Sequence, residues 1–333
     1  MVAQEDGMKF LVIGYGGIGK QRVKALLRLK EEGCRIEDVF VYDPALPLLL
    51  PDGVFAASQD TFIDNPPDWV FVATPHNLAV EWVKVALSWG SRVLMEKPFG
   101  RNFTEALSLY SKTTFPDQLF LGFNYRFYDG VARLREDIIG NSFGKLTNIT
   151  MTLGHGGKPS DATSWKLDRF TGAPDSLLDP GIHFLDLLNW MFPRTAIPLA
   201  GKSTGGFWGT DVKEEVVLLL DINGCPTVLN SSIVKWRNTF HIEVQGRDGY
   251  GILDGRGGNY GTQRYTTGKR WAWMMGAKQR DTEKVVITCE GEDSFYQEVK
   301  SLLYTPFLNC SASNALDVMM LYTNSARLVD DNR

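Results

Sequence analysis

The run Gly14-Tyr15-Gly16-Gly17-Ile18-Gly19 constrains this chain more than any other feature, because it stands directly behind the apolar stretch Lys9–Gly14. Glycines at the first, third and sixth places suit a tight passage from a buried strand into a helix. Gly14 permits the turn, Gly16 lets backbone amides approach an anion, and Gly19 lets the helix pack closely on the strand. A helix beginning near Gly17 presents N–H groups and a partial positive charge to phosphates. Taken alone, the glycines also fit a turn that binds nothing. Strand, helix and second strand follow here in the right order, which favours a dinucleotide cradle.

The second strand, Val39-Phe40-Val41-Tyr42-Asp43, ends in an acid. A carboxylate at that place accepts hydrogen bonds from the adenosine ribose and repels a 2′-phosphate. Pro44 follows, and no Arg stands next to it to cradle a phosphate, so NAD is expected over NADP. The alternative is that Asp43 merely turns the strand end.

Apolar runs and helical stretches alternate from Met8 to Gly122. The runs Lys9–Gly14, Val39–Asp43, Trp69–Ala73, Arg92–Met95 and Leu119–Gly122 read as strands buried on both faces. Helical spacing marks Gly19–Lys30 and Leu78–Trp89, the latter through Leu78, Trp82, Val85 and Trp89. The expectation is an α/β fold: a doubly wound parallel sheet of Rossmann type over residues 1–124.

After Tyr128 the rhythm changes. Lys145–Leu153, Glu215–Ile222, Pro226–Lys235, Phe240–Gln245 and Lys284–Cys289 follow one another with turns between them, and Gly224-Cys225 reads as a hairpin connection. Helices interrupt at Asp179–Met191, Ser294–Leu303 and Ser313–Leu328. Residues 125–333 are therefore expected to form an α+β domain with a large open, mainly antiparallel sheet. Trp236, Trp271 and Trp273 suit either a subunit interface or an ordinary core. A homodimer or homotetramer through this sheet is the expected assembly.

At 333 residues the chain is long enough for about two domains. Its 35 Lys and Arg against 39 Asp and Glu leave a net charge of −4, which supplies no attraction to nucleic acid or anionic membrane. A composition 44% hydrophobic and 22% charged excludes wholesale disorder. Cys34, Cys225, Cys289 and Cys310 lie far apart and away from the histidines, so neither a disulfide scaffold nor a metal site is expected. The first residues lack a basic segment leading into an apolar run, and no apolar stretch reaches membrane length. A cytoplasmic location is the expectation.

Three further segments complete a pattern: Met95-Glu96-Lys97-Pro98, Gly122-Phe123-Asn124-Tyr125-Arg126-Phe127, and Asp179-Pro180-Gly181-Ile182-His183. With the glycine loop and Ala73-Thr74-Pro75, they resemble the glucose–fructose oxidoreductase / inositol dehydrogenase / MocA (Gfo/Idh/MocA) family over about Met8 to Leu328. The resemblance implies a nicotinamide-dependent oxidoreductase acting on a secondary alcohol or ketone of a sugar, polyol or sugar derivative. It implies that His183 takes the hydroxyl proton while Lys97 and Asp179 orient and polarise that hydroxyl. It also places the cofactor on Gly14, Tyr15, Gly16, Gly17, Ile18, Gly19, Asp43, Thr74, Pro75, Glu96, Lys97, Asn124 and Arg126.

The residues themselves support these roles. Lys97 stands at the carboxyl end of a parallel strand, where ligands bind in open α/β sheets, and Pro98 holds it extended. Asp179 reads as the N-cap of a helix Pro180–Met191, with His183 and Asp186 on one face. Histidine is the side chain best suited to proton exchange near neutrality, although a core histidine is the plainer reading of His183. Asn124 and Arg126 follow the fifth strand near the expected nicotinamide. Trp165, Lys166, Asp168 and Arg169 suit either a sugar-binding loop or a solvated charged one.

Two departures stand out. His76 comes earlier after Thr74-Pro75 than in many relatives, with Ala79 at the usual histidine position. Gly172-Ala173-Pro174-Asp175-Ser176 replaces a glycine-rich run, so the substrate is expected to differ from the better-known ones. Rival readings are a dinucleotide-binding sensor without turnover and a reductase of a non-sugar C=O or C=N group.

Overall fold

A computed structural model describes residues 7–58, 61–62, 65–158, 160, 165–168, 170–269, 283–289 and 293–330. Its first half runs β1 (Met8–Ile13), α1 (Gly17–Glu31), β2 (Ile36–Tyr42), β3 (Val54–Ala56), β4 (Trp69–Val72), α2 (His76–Ser88), β5 (Arg92–Glu96), α3 (Phe103–Tyr110) and β6 (Leu119–Gly122). After α4 (Asp129–Ile139) come β7 (Leu146–Gly154), α5 (Ile182–Met191), β8 (Ala196–Gly205), β9 (Lys213–Ile222) and β10 (Cys225–Ser232). Then follow β11 (Thr239–Gly246), β12 (Gly249–Asp254), β13 (Gln263–Lys269), β14 (Lys284–Cys289), α6 (Ser294–Tyr304), β15 (Cys310–Ser311) and α7 (Ala312–Asp330).

The chain divides into two compact units. One holds the residues through Asn124 together with Ser294–Leu316, and the other holds Tyr125–Asp293 with the residues from Asp317 onward. Residues 294–316 thus depart from the expected 125–333 grouping, for a physical reason. Tyr296, Val299 and Leu302 of α6 enter the same apolar core as Phe10, Val12, Leu26 and Phe120, and β15 pairs antiparallel with β6.

The first unit is a seven-stranded sheet in the order β15-β6-β5-β4-β1-β2-β3, parallel except at β15. β4 is buried along its whole length, as expected for a strand covered on both faces. In α2 the buried face is Ala79, Val80, Val83, Ala86 and Leu87, whereas Leu78 and Val85 are exposed. The apolar spacing over this segment therefore identified a helix but not its core face, because the small Ala79 and Ala86 occupy the close approach.

The second unit is built on an eight-stranded sheet ordered β14-β13-β12-β11-β7-β10-β9-β8. Every pairing is antiparallel except β7 with β10, so the sheet is mainly antiparallel, as expected. β8, β12 and β13 are strands that hydropathy did not mark. The hairpin joining β9 to β10 turns on Asn223-Gly224 rather than Gly224-Cys225. Both turn residues have positive φ, 54° and 81°, while Cys225 already pairs with Ile222. Along β9 Val216, Leu218 and Leu220 are buried while Val217 and Leu219 are exposed, so one face of the sheet edge is apolar and open. Trp236 is fully exposed, and Trp271 and Trp273 lie outside the described residues. No described helix is long and apolar enough to cross a membrane.

Candidate active site

In the first unit, β1 delivers the chain to Gly14, whose N–H donates to the Tyr42 carbonyl at 2.8 Å. Gly14 has φ +92°, and a Cβ there would stand 2.6 Å from the Ala73 carbonyl oxygen. A Cβ on Gly19 would meet the Gly14 carbonyl oxygen at 1.9 Å, so α1 packs against the loop as closely as only glycine allows. Gly16 and Gly17 differ: a Cβ on either meets nothing within 4 Å. The space in front of the loop is open backbone cradle. Gly16 caps α1 without a side-chain hydrogen bond, and no acid stands in the first turn to compete with an incoming anion. Ile18, in that turn, is exposed.

The neighbouring groups carry this geometry on. Asp43 accepts the Tyr15 N–H at 2.7 Å on one oxygen and the Ala45 N–H at 2.8 Å on the other. The acid therefore holds the glycine loop as well as standing at the end of β2. Thr74, beyond β4, buries its hydroxyl with no hydrogen bond among the described residues. Such an orphaned polar atom beside an open backbone cradle fits a bound dinucleotide. Pro75 precedes α2 as its N-cap residue, and the buried His76 opens that helix.

Glu96 ends β5, immediately before Lys97. Its carboxylate is gripped by Arg22 of α1, Nε to Oε1 at 2.7 Å, and Arg22 also reaches Glu298 of α6 at 2.6 Å. The Arg22 and Glu298 side chains are each 1% exposed and that of Glu96 14%, so the charged triad is largely withdrawn from water. Burial opposes the Arg22 charge, but the two carboxylates outweigh it and hold the guanidinium above its ordinary value. Glu96 thus faces Arg22 rather than presenting an unengaged carboxylate. Lys97 is half-buried and joined to Pro98 by a cis peptide bond. Asn124 donates to the Ser294 hydroxyl at 2.9 Å, both side chains being buried.

In the second unit, Asp179 is not a helix cap. α5 begins at Ile182 with Gly181 before it, and the Asp179–Pro180 bond is cis within a run of turns. Asp175 holds this turn instead, accepting the Leu178 N–H at 2.8 Å and the Tyr322 hydroxyl at 2.9 Å. The Gly181 N–H closes onto the Ser176 carbonyl at 2.8 Å, and a Cβ on Gly181 would strike Ser231 and Leu177 within 2.8 Å. Glycine is therefore required for the chain to pass between these two elements. Burial pushes the Asp175 carboxyl above the usual carboxylate range, against the bonds it receives from Leu178 and Tyr322.

His183, in the first turn of α5, is 5% exposed and lies flat on the Tyr125 ring, centroids 3.8 Å apart and planes within 6°. Arg256 stands over Tyr125 at 5.1 Å and over Tyr260 at 3.8 Å, and it donates to the Tyr128 hydroxyl at 2.9 Å. Burial first, and the Asp179 carboxylate further down, raise the Tyr125 phenol well above its ordinary value, with Arg256 opposing. Arg126 forms a two-pronged pair with Asp186 of α5, at 2.8 and 2.5 Å, and both side chains are almost wholly buried. Its guanidinium thus braces α5. Trp165 is partly exposed in a short 3-10 turn, and Asp168 accepts the Phe170 and Thr171 N–H groups. The Lys166 side chain and Arg169 lie outside the described residues. Sequence reasoning passed over Arg22, Tyr125, Asp175 and Arg256. Arg22, Tyr125 and Asp175 lay inside segments it had marked, Arg22 in the helical stretch Gly19–Lys30, whereas Arg256 lay in none.

Fold and loop define a dinucleotide-binding α/β unit followed in sequence by an α+β unit with an open sheet. A family model described as an oxidoreductase family with NAD-binding Rossmann fold matches residues 8–114, and the GFO/IDH/MocA C-terminal domain matches residues 131–251. The chain belongs to the GFO/IDH/MocA oxidoreductase family. It is 29% identical over 226 residues to glucose-6-phosphate 3-dehydrogenase of Bacillus subtilis, covering 64% of this chain and 61% of that protein. It is 26% identical over 186 residues to the rhizopine catabolism protein MocA of Rhizobium meliloti, covering 54% and 56%. The matched stretch spans less than two thirds of either relative. Among solved structures, the aldose-aldose oxidoreductase from Caulobacter crescentus complexed with glycerol superposes with a TM-score of 0.78 at 17% identity over 98% of each chain. The WlbA dehydrogenase from Bordetella pertussis, in complex with NADH and UDP-GlcNAcA, does so at 0.73 and 15% over 98% of each. These identities speak for the fold alone.

Proposed function

We propose that this chain is an NAD-dependent dehydrogenase or reductase acting on a secondary alcohol or ketone of a sugar, polyol or sugar derivative. The observation that carries the reading is the open backbone cradle at Gly16 and Gly17, in a family member that retains Lys97, Asp179 and His183. The dinucleotide would be held by the Gly14–Gly19 loop, the N-terminus of α1, Asp43, and the Thr74 hydroxyl. When bound, its nicotinamide supplies the hydride acceptor or donor. Lys97 hydrogen-bonds the substrate oxygen and stabilises its alkoxide character, since a fixed cation acts where charge develops. His183 exchanges the hydroxyl proton, and Asp179 orients the group.

Asp43 favours NAD, because its carboxylate would face a 2′-phosphate with like charge. The names of similar proteins support a carbohydrate substrate, among them a levoglucosan dehydrogenase from Pseudarthrobacter phenanthrenivorans, 24% identical over 135 residues. Trp165, Lys166 and Arg169 are proposed substrate contacts. The exposed apolar positions Ile197, Leu199, Val217 and Leu219 support assembly into dimers or tetramers through the open sheet, which light scattering would measure.

The test is turnover of a sugar and polyol panel with NAD by wild type, Lys97→Ala and His183→Ala. Each variant is expected to lose about a hundredfold in kcat, the usual contribution of a positioned acid or base. Losses under about tenfold in both would overturn the roles.

A further inference from the structure

We propose that Tyr125 is the positioning residue for His183, a flat platform that fixes the plane of the imidazole. This rests on the reading of His183 as the proton carrier. The two rings are parallel within 6° at 3.8 Å, and both side chains are buried. The platform is itself braced. Phe240 meets the Tyr125 ring edge-on at 5.7 Å, and Tyr128 leans against it at 5.3 Å. Phe240 in turn packs edge-on against Phe184, the neighbour of His183 on α5, at 5.4 Å. Tyr125 is thus clamped by the β11 residue that also supports the helix carrying His183.

The chemistry gives this arrangement a purpose. A proton carrier must hold the same orientation whether neutral or charged. A neutral imidazole stacks on an aromatic face by dispersion and complementary quadrupoles, and an imidazolium is held there by the negative potential of that face. One platform therefore serves both protonation states, which a hydrogen-bond acceptor or donor alone does not. It also blocks rotation of the imidazole out of its plane, leaving the ring nitrogens aimed along fixed directions. A displacement of about 1 Å in a reacting group costs on the order of a hundredfold in rate, so fixing the plane bears directly on kcat.

The experiment pairs ring-keeping and ring-losing variants with chemical rescue. Tyr125→Phe retains the platform and is expected to stay within about threefold of wild-type kcat, whereas Tyr125→Leu is expected to lose about tenfold or more. The dissociation constant for NAD, measured by nucleotide fluorescence, is expected to change less than about twofold in both. In a His183→Gly background, added imidazole is expected to restore turnover when Tyr125 is present and to fail with Tyr125→Leu. Tyr125→Met, which fills the volume without a ring face, replaces the leucine variant if that does not fold. Wild-type kcat in the ring-losing variant, or equal imidazole rescue with and without the ring, would overturn the assignment while leaving His183 as the carrier. A phenylalanine variant that falls as far as leucine while remaining folded would also overturn it, pointing to the hydroxyl. Full activity of His183→Gly would instead remove the reading of His183, and the platform role with it.

Discussion

Arg22 donates through Nε to Oε1 of Glu96 at 2.7 Å, tying α1 to the residue immediately before Lys97. Glu298 completes the group from α6, in a segment that returns to the first unit late in the chain. Helix α1, the end of β5 and the returning α6 therefore share one buried cation.

Removing that cation leaves the buried Glu298 and the largely buried Glu96 without their shared partner. Arg22→Leu is expected to destabilise the protein by about 3–5 kcal/mol, the usual effect of deleting one partner from a buried ion pair. Urea denaturation would show it, and a change below about 1 kcal/mol would mean that the triad is not desolvated as described.

The glycines of the loop separate into two kinds. Gly19→Ala forces a Cβ to within 1.9 Å of the Gly14 carbonyl oxygen and is expected to cost on the order of 3 kcal/mol of stability. Gly16→Ala meets nothing within 4 Å, so its stability is expected to fall by no more than about 1 kcal/mol. Its NAD affinity is nonetheless expected to weaken about tenfold or more, because the methyl group occupies the space proposed for the pyrophosphate. Calorimetric titration of both variants with NAD checks the contrast, and unaltered affinity in Gly16→Ala would place the nucleotide elsewhere.

Asp43→Asn removes the charge and keeps one carbonyl acceptor for the loop. The ratio of kcat/KM with NADP to that with NAD is expected to rise about tenfold or more as like-charge repulsion disappears. Steady-state kinetics with both nucleotides decides this, and an unchanged ratio would limit Asp43 to bracing the Tyr15 and Ala45 amides.

On the sheet, His241 of β11 lies opposite Asp254 of β12 in register, with Nδ1 2.6 Å from the carboxylate and Glu243 two residues along. The hydrogen bond to Asp254 first, then the two negative charges, hold the imidazole above its ordinary value. Because the folded value is the higher one, the stabilisation is complete below the ordinary 6.5 and is lost as pH rises through the raised value. The Tm of wild type minus that of His241→Gln is therefore expected to shrink as pH rises from acid to alkaline. A gap that stays constant or widens would contradict the pairing.

Much of the fold was legible because the signals are short-ranged. Strands buried on both faces appear as unbroken apolar runs, and the loop glycines declare themselves within six positions. The Asp179 segment shows where such reading stops. An acid before a proline matches a helix start, but the chain turns through Asp175 and Ser176 and delays α5 to Ile182. The competing hydrogen bonds come from Tyr322 and Ser231, far along the chain, and no local pattern announces them.

The sequence by itself determined the family and the dinucleotide-binding unit, and it singled out Lys97, Asp179 and His183 as candidates, since each signal depends on residue type at close spacing. Only the tertiary structure decided what surrounds them: Glu96 clamped by Arg22 across 74 positions, Arg126 spent on Asp186, and His183 laid on Tyr125. Burial is the reason. A charge or ring removed from water must find its partner wherever the fold brings one, and that choice is made by packing rather than by sequence distance.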